Sequence, residues 1–268
     1  GLDYVAAGDQ VFWLGTGDYP LPTAARILTR RGFLSHREVV VGEPVLAYDA
    51  SRDCCIWTPL LRINQPGPLP MIQLSSRSFR VRSTPQHTWV VREQSRRGRV
   101  PSPVLIATSQ LKTTHRIVVA APVDDEPTSV VSPEEARILG WLCTDGHVMI
   151  SPTLNGSITQ SKEPFRTMLR GFLAGWITNE YQPSGKSISV FNLKTKRLRQ
   201  LFDVAGLDAS CYKTQLPQLV TRLSAEARVA MWTTMLEAEG WRERGLWRFS
   251  QNPGPVLDTL RNLTALLG

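Results

Sequence analysis

Ile138-Leu139-Gly140-Trp141-Leu142-Cys143-Thr144-Asp145-Gly146 and, 94 positions later, Trp232-Thr233-Thr234-Met235-Leu236-Glu237-Ala238-Glu239-Gly240 are degenerate copies of one pattern. Each is a largely apolar run of helical character that ends in a carboxylate followed by glycine. Two such helices packed side by side bring Asp145 and Glu239 together. Two carboxylates at one point make a hard, oxygen-rich site suited to Mg²⁺. In a basic chain that chemistry points to phosphodiester cleavage. The plain alternative for Asp145-Gly146 is a helix end turning into a hairpin; its recurrence as Glu239-Gly240 argues against that.

The flanks repeat as well. Ser132 as N-cap, Pro133 at the first helical position and Glu135 three residues past the cap form a capping box. Strands are expected at His147–Ser151 and Gly156–Gln160, then a helix from Glu163 to about Trp176. Strands follow near Asn179–Gln182 and Ser187–Leu193, and then a helix from about Lys196 to Val204. A second cycle starts at Ser224-Ala225-Glu226, runs through the helix ending at Gly240 and continues in a hairpin, Trp241–Arg244 with Leu246–Ser250. A helix closes it over Val256–Leu267. An α-β-β-α-β-β-α unit thus begins to repeat, and internal repetition outranks any single-residue signal. Only 28 residues follow Gly240, so the second unit is expected to be shortened.

Residues 1–122 read differently. Short strand candidates run from Arg26–Leu28 to Arg116–Ala120 between Gly, Pro, Ser and Asp breaks, with no helical periodicity. The acidic, Pro-flanked stretch 123–131 reads as a linker. The expected fold is therefore α+β: an all-β domain over 1–122 and an α/β repeat domain over 132–268. Arg92, Arg96, Arg97 and Arg99 form a basic loop suited to phosphate contact.

Composition narrows the function. The net charge is +8 and the isoelectric point about 9.7, which suits a polyanion. No run approaches a membrane span and no signal peptide is read. Cys54, Cys55, Cys143 and Cys211 form no C-x-x-C pair, which argues against zinc and for a reducing, intracellular compartment. No Gly-rich phosphate loop or Ser-His-Asp arrangement stands out. Trp141, Trp176, Trp232 and Trp241 read as packing residues. Glu237 reads as a surface residue, since its counterpart is Cys143.

The repeated segments resemble the LAGLIDADG homing endonucleases in their single-chain, two-motif form, over about residue 132 to the end. The resemblance implies that Asp145 and Glu239, with the following Gly146 and Gly240, make the metal site for Mg²⁺ or another divalent cation. It implies that Gly140 lets the helices approach, with Thr234 at the matching place. Gln160 and Gln251, ending the second strand of each repeat, and Lys194, with Lys196 as fallback, are the supporting catalytic residues. DNA contact would come from alternate strand positions: His147, Met149, Ser151, Asn155, Ser157, Gln182, Ser187, Ser189, Trp247 and Arg248. The partner would be double-stranded DNA with a long target site, cut by a monomer in the cytoplasm or nucleoid, or by a phage product within a host cell.

The N-terminal half is similar to inteins and Hint domains in three places: Pro20-Leu21-Pro22-Thr23-Ala24-Ala25-Arg26-Ile27-Leu28-Thr29, Val41-Gly42-Glu43-Pro44-Val45-Leu46-Ala47-Tyr48-Asp49, and the T-x-x-H block Thr84-Pro85-Gln86-His87. Pro20 stands where splicing needs a Cys or Ser nucleophile, and proline cannot perform the acyl shift. This domain is expected to be splicing-inactive, with His87 a structural remnant. Two other readings stay open: a maturase-like DNA- or RNA-binding protein without nuclease activity, and an intein fragment with residual self-processing.

Overall fold

The computed structural model describes residues 21–64, 67–76, 80–93, 101–150 and 153–268. Pro20, Arg96, Arg97, Arg99 and Ser151 lie outside them. The chain is mixed α/β and forms two compact units, one of residues up to 125 with 265–268, the other of 126–264. No described helix is long and apolar enough to cross a membrane.

The first unit is built from short antiparallel strands. β1 (Arg26–Thr29), β2 (Gly32–Ser35), β3 (Pro44–Asp49) and β4 (Cys54–Pro59) form a sheet in the order β2-β1-β3-β4. β5 (Ile72–Ser75) pairs with β6 (Arg80–Ser83); β7 (Thr88–Glu93) sits between β8 (Val104–Ala107) and β9 (His115–Ile117). Val81, Trp89 and Val91 centre a core packed by Leu74, Ile106 and Ile117. Beside them His87 is buried, its ring edge-on to Trp89 at 4.7 Å. The Thr108 hydroxyl donates to the His87 carbonyl (3.0 Å) and accepts from the Trp89 indole (2.9 Å), so the T-x-x-H segment is pinned from two sides. The start of the expected linker belongs to this unit. Cys55 N–H donates to the Pro122 carbonyl (2.9 Å), and Asp124 N–H to the Cys55 carbonyl (2.8 Å). Asp125 accepts from Arg30 (3.0 Å) and the Trp57 indole (2.9 Å), while the Arg30 guanidinium stacks over Trp57.

In the second unit, α1 (Pro133–Thr144) starts on the expected capping box: Glu135 N–H donates to Ser132 Oγ (3.3 Å) and Ser132 N–H to Glu135 Oε2 (2.8 Å). β10 (Gly146–Ile150), β11 (Leu154–Gln160), α2 (Glu163–Phe172), β12 (Ile177–Tyr181), β13 (Ser189–Leu193) and α3 (Thr195–Ala205) complete the first cycle. The sheet order is β10-β11-β13-β12, all antiparallel. Burial alternates along β11: Leu154, Gly156, Ile158 and Gln160 face inward and Asn155, Ser157 and Thr159 outward.

α4 (Tyr212–Leu219) was not expected, because Pro217 lies inside it and reads as a breaker. Asn262 Nδ2 donates to the Pro217 carbonyl (2.7 Å), and the buried Arg228 guanidinium donates to the Val220 and Thr221 carbonyls (both 3.1 Å) just past the helix end. α5 (Ala225–Glu239) is capped by Ser224, whose hydroxyl accepts from Ala227 N–H. β14 (Gly240–Glu243) and β15 (Leu246–Phe249) form a two-stranded hairpin, turned by Arg244 and Gly245, both at positive φ. α6 (Pro255–Leu267) follows.

Candidate functional site

The site lies where α1 and α5 end. The helices touch at Gly140, where an added Cβ would stand 3.0 Å from the Thr234 Cβ and 3.1 Å from the Met231 carbonyl. Asp145 and Glu239 are each five residues beyond this contact. Their following glycines are equally constrained: a Cβ on Gly146 would lie 2.3 Å from Leu142 Cα, and one on Gly240 2.5 Å from the Leu236 carbonyl oxygen. The backbone must pass too close to the preceding turn for any side chain, so each acid is held at the point where helix becomes strand.

Asp145 is half-buried. Its carboxyl is pushed up to about 6, first by burial and then by the negative charge of Glu239, against the opposing pull of Lys162, Gln160 and Lys213. Gln160, buried at the end of β11, donates Nε2–H to Asp145 Oδ2 at 3.0 Å. Its Oε1 accepts from the N–H groups of Ser161 and Lys162 (both 2.9 Å), which fixes the amide with its donor toward the acid. Lys162 Nζ donates to the Ala238 carbonyl (3.0 Å), next to Glu239, so one ammonium serves both helix ends. Lys213 Nζ donates to the Gly146 carbonyl (3.3 Å), and the Tyr212 hydroxyl to the Leu142 carbonyl (2.8 Å), so α4 closes the same end of α1. Cys143 next door is buried and its thiol is pushed up to about 12, which keeps it a packing residue.

Several expected positions fall elsewhere. Lys194 is corrected: Gln160 pairs with Ser189 and β13 then runs away from the acids, so Lys194 lies five residues farther, about 16 Å along the sheet. It donates to the Gly175 carbonyl (3.2 Å) at that far end. Ser189 is also corrected: it is fully buried on the inner face with Phe191 and Leu193, not on the outer one. Gln251 Oε1 accepts from Asn252 N–H (3.2 Å) and makes no bond to Glu239. Arg92 is engaged in an ion pair with Asp53. Glu237 is half-buried, with its carboxyl held above the usual range by burial, against the pull of Arg137.

His147, Met149, Asn155 and Ser157 share the outer sheet face. The register adds positions that the sequence reading passed over: His147, Ser157, Asn192 and Asn179 form one row across four strands, with Asn192 Nδ2 donating to Asn179 Oδ1 (3.0 Å), and Thr159, Val190 and Tyr181 form the next. Gln182 and Ser187 are exposed in the loop between β12 and β13, at the acid end. Trp247 and Arg248 lie on β15, with Arg242 stacked over Trp247 at 4.9 Å. Lys162 and Lys213 were also passed over. Lys162 stands two residues beyond Gln160 and was within reach of the sequence; Lys213 had no signal while α4 was hidden.

Among the described residues no three His, Cys, Asp or Glu side chains group as a metal cluster. No family model and no curated protein matches the chain.

Proposed function

We propose that the second unit is a site-specific DNA endonuclease, dependent on a divalent cation, that makes a double-strand break. In this reading it has the LAGLIDADG architecture and the first unit is a splicing-inactive Hint-like domain. One observation carries the proposal: two acids of one repeated motif end adjacent helices, burial and the Glu239 charge hold the Asp145 carboxyl above its usual range, and a fixed amide and two ammonium groups stand around it. A purely structural role would favour neutral side chains at such a place.

The donor set fits a hard cation. Asp145 and Glu239 supply carboxylate oxygens, and their mutual repulsion under partial burial is what a divalent ion would relieve. Such an ion supplies Lewis-acid polarisation of a phosphoryl oxygen. Gln160 orients Asp145. Lys162 and Lys213 place positive charge where the phosphorane-like transition state gains negative charge. The outer face, with His147, Asn155, Ser157, Asn179, Asn192 and Tyr181, offers the donors and acceptors that read base edges in a major groove.

The test is cleavage of DNA carrying the joined flanks of the gene's own insertion site, with Mg²⁺. Asp145→Asn combined with Glu239→Gln is expected to lower the rate by ~10³-fold or more while leaving salt-sensitive binding. Undiminished cleavage refutes the proposal.

A further inference from the structure

The two halves of the site are not equally equipped. Asp145 has the Gln160 amide bonded to it; Glu239 receives no side-chain hydrogen bond among the described residues, and its matching glutamine, Gln251, bonds its own neighbour. Lys162, two residues after Gln160, reaches the Ala238 carbonyl and serves both helix ends; the same step beyond Gln251 reaches Pro253, which carries no charge and no N–H, so the second repeat returns no lysine of its own. Lys213 closes the Asp145 end; no lysine follows it in the sequence. The arginines of the second half are otherwise engaged or distant. Arg248 pairs with Glu243 at 3.2 Å, Arg242 stacks on Trp247, and Arg244 sits at the hairpin turn, about 13 Å from Gly240 along the strand.

We infer that a duplex bound here is cut first on one strand, the one whose scissile phosphate faces Asp145, Gln160 and Lys213, so that nicked DNA accumulates before the double-strand break. The inference rests on the endonuclease reading. In each hydrolysis, water oxygen bonds to phosphorus, the P–O bond to one sugar breaks, and the proton released by water ends on the leaving sugar oxygen. Charge gathers on the phosphoryl oxygens as this happens; Lys162 lies between the two helix ends and serves both, while Lys213 stabilises that charge on the Asp145 side only.

Supercoiled plasmid carrying the joined flanks, incubated with the full chain and Mg²⁺, reads the order of cuts. The nicked circle is expected to become the main species before linear DNA appears, with run-off sequencing placing the nick on one strand. Lys213→Met should slow that first nick by ~100-fold and change the other strand's rate by no more than about 3-fold. Pro253→Lys, which alters neither acid, should shorten the life of the nicked form. A readout without turnover uses Ca²⁺ in place of Mg²⁺: ethylating the scissile phosphate on the first-cut strand should weaken binding more than ethylating its counterpart.

Linear product without a nicked intermediate, nicks shared equally between strands, or equal ethylation effects overturn the inference. If no metal-dependent break occurs at all, the endonuclease reading falls, while unequal ethylation effects would still mark an unequal site.

Discussion

The first and second repeats make the same helix end in different surroundings. Gly140, Leu142, Asp145 and Gly146 find their counterparts in Thr234, Leu236, Glu239 and Gly240, each after an interval of 94. Beyond the acid the first repeat continues into four strands and three helices, including α4, which returns Lys213 to the acid. The second continues into a two-stranded hairpin and α6. The comparison separates what positions an acid, which both repeats have, from what supplies the bonded amide and the lysines around it, which only the first does.

Replacing the two motif glycines tests the shared part and should give the largest effect. Gly146→Ala places a methyl against backbone, at 2.3 Å from Leu142 Cα, where no rotamer change helps. Gly240→Ala meets the Leu236 carbonyl at 2.5 Å and the Arg248 carbonyl at 3.1 Å. Each should cost ~3 kcal/mol or more in urea unfolding, with Gly146→Ala the worse. If either is neutral, the helix-to-strand passage is not as tight as the geometry requires.

The helix contact gives a smaller, reciprocal test. Gly140→Ala alone adds a methyl 3.0 Å from the Thr234 side chain and should cost about 1–3 kcal/mol. Adding Thr234→Gly moves the small residue to the other helix and should recover part of that loss, less about 1 kcal/mol for glycine within a helix. Additive rather than compensating losses would show that the two positions do not share one contact.

The burial of Asp145, beside Glu239, has a stability cost that pH exposes. Its folded pKa, about 6, lies above the ordinary aspartate value of 3.8, so the folded state holds the proton more tightly than the unfolded chain. Without a bound cation, this group's contribution is therefore best below pH 4, and stability declines as pH rises from about 4 to about 6. Asp145→Asn removes that penalty. At pH 7.5 the variant should be more stable by about 1–2 kcal/mol, allowing for screening of a partly exposed group, and at pH 3.5 no more stable than the parent. Adding Mg²⁺ should raise the Tm of the parent at pH 7.5 and leave the variant nearly unmoved. A variant less stable than the parent at pH 7.5 would contradict the raised pKa.

How much of this was legible depends on what each signal encodes. The motif helices and their acids were, because apolar runs ending in Asp-Gly and Glu-Gly report local structure, and the capping box at Ser132 fixed where α1 begins. The hairpin was, because Arg244-Gly245 separates two short strands. α4 was not, since Pro217 disguises a helix whose C-terminal end is held by distant groups, Asn262 and Arg228. Ser189 was placed on the wrong face because period-two alternation was run from Ser187. Phe191 and Leu193, two and four residues on, carry the inward phase. Side-chain type showed which residues suit a phosphate site; it did not show which end of an antiparallel sheet each one reaches.

Lys194 is where that last distinction has the smallest effect, and its null result is informative. Strand direction puts it about 16 Å from Gln160, bonded to the Gly175 carbonyl on the surface. Charges that far apart across water are screened beyond a Debye length of about 8 Å. Lys194→Ala is therefore expected to change the cleavage rate by less than about twofold, and stability by less than about 0.5 kcal/mol. Lys213→Met, which likewise removes one ammonium, should slow cleavage far more. If Lys194→Ala were the more damaging change, β13 would have to run toward the acids rather than away from them, and the sheet register joining Gln160 to Ser189 would be wrong.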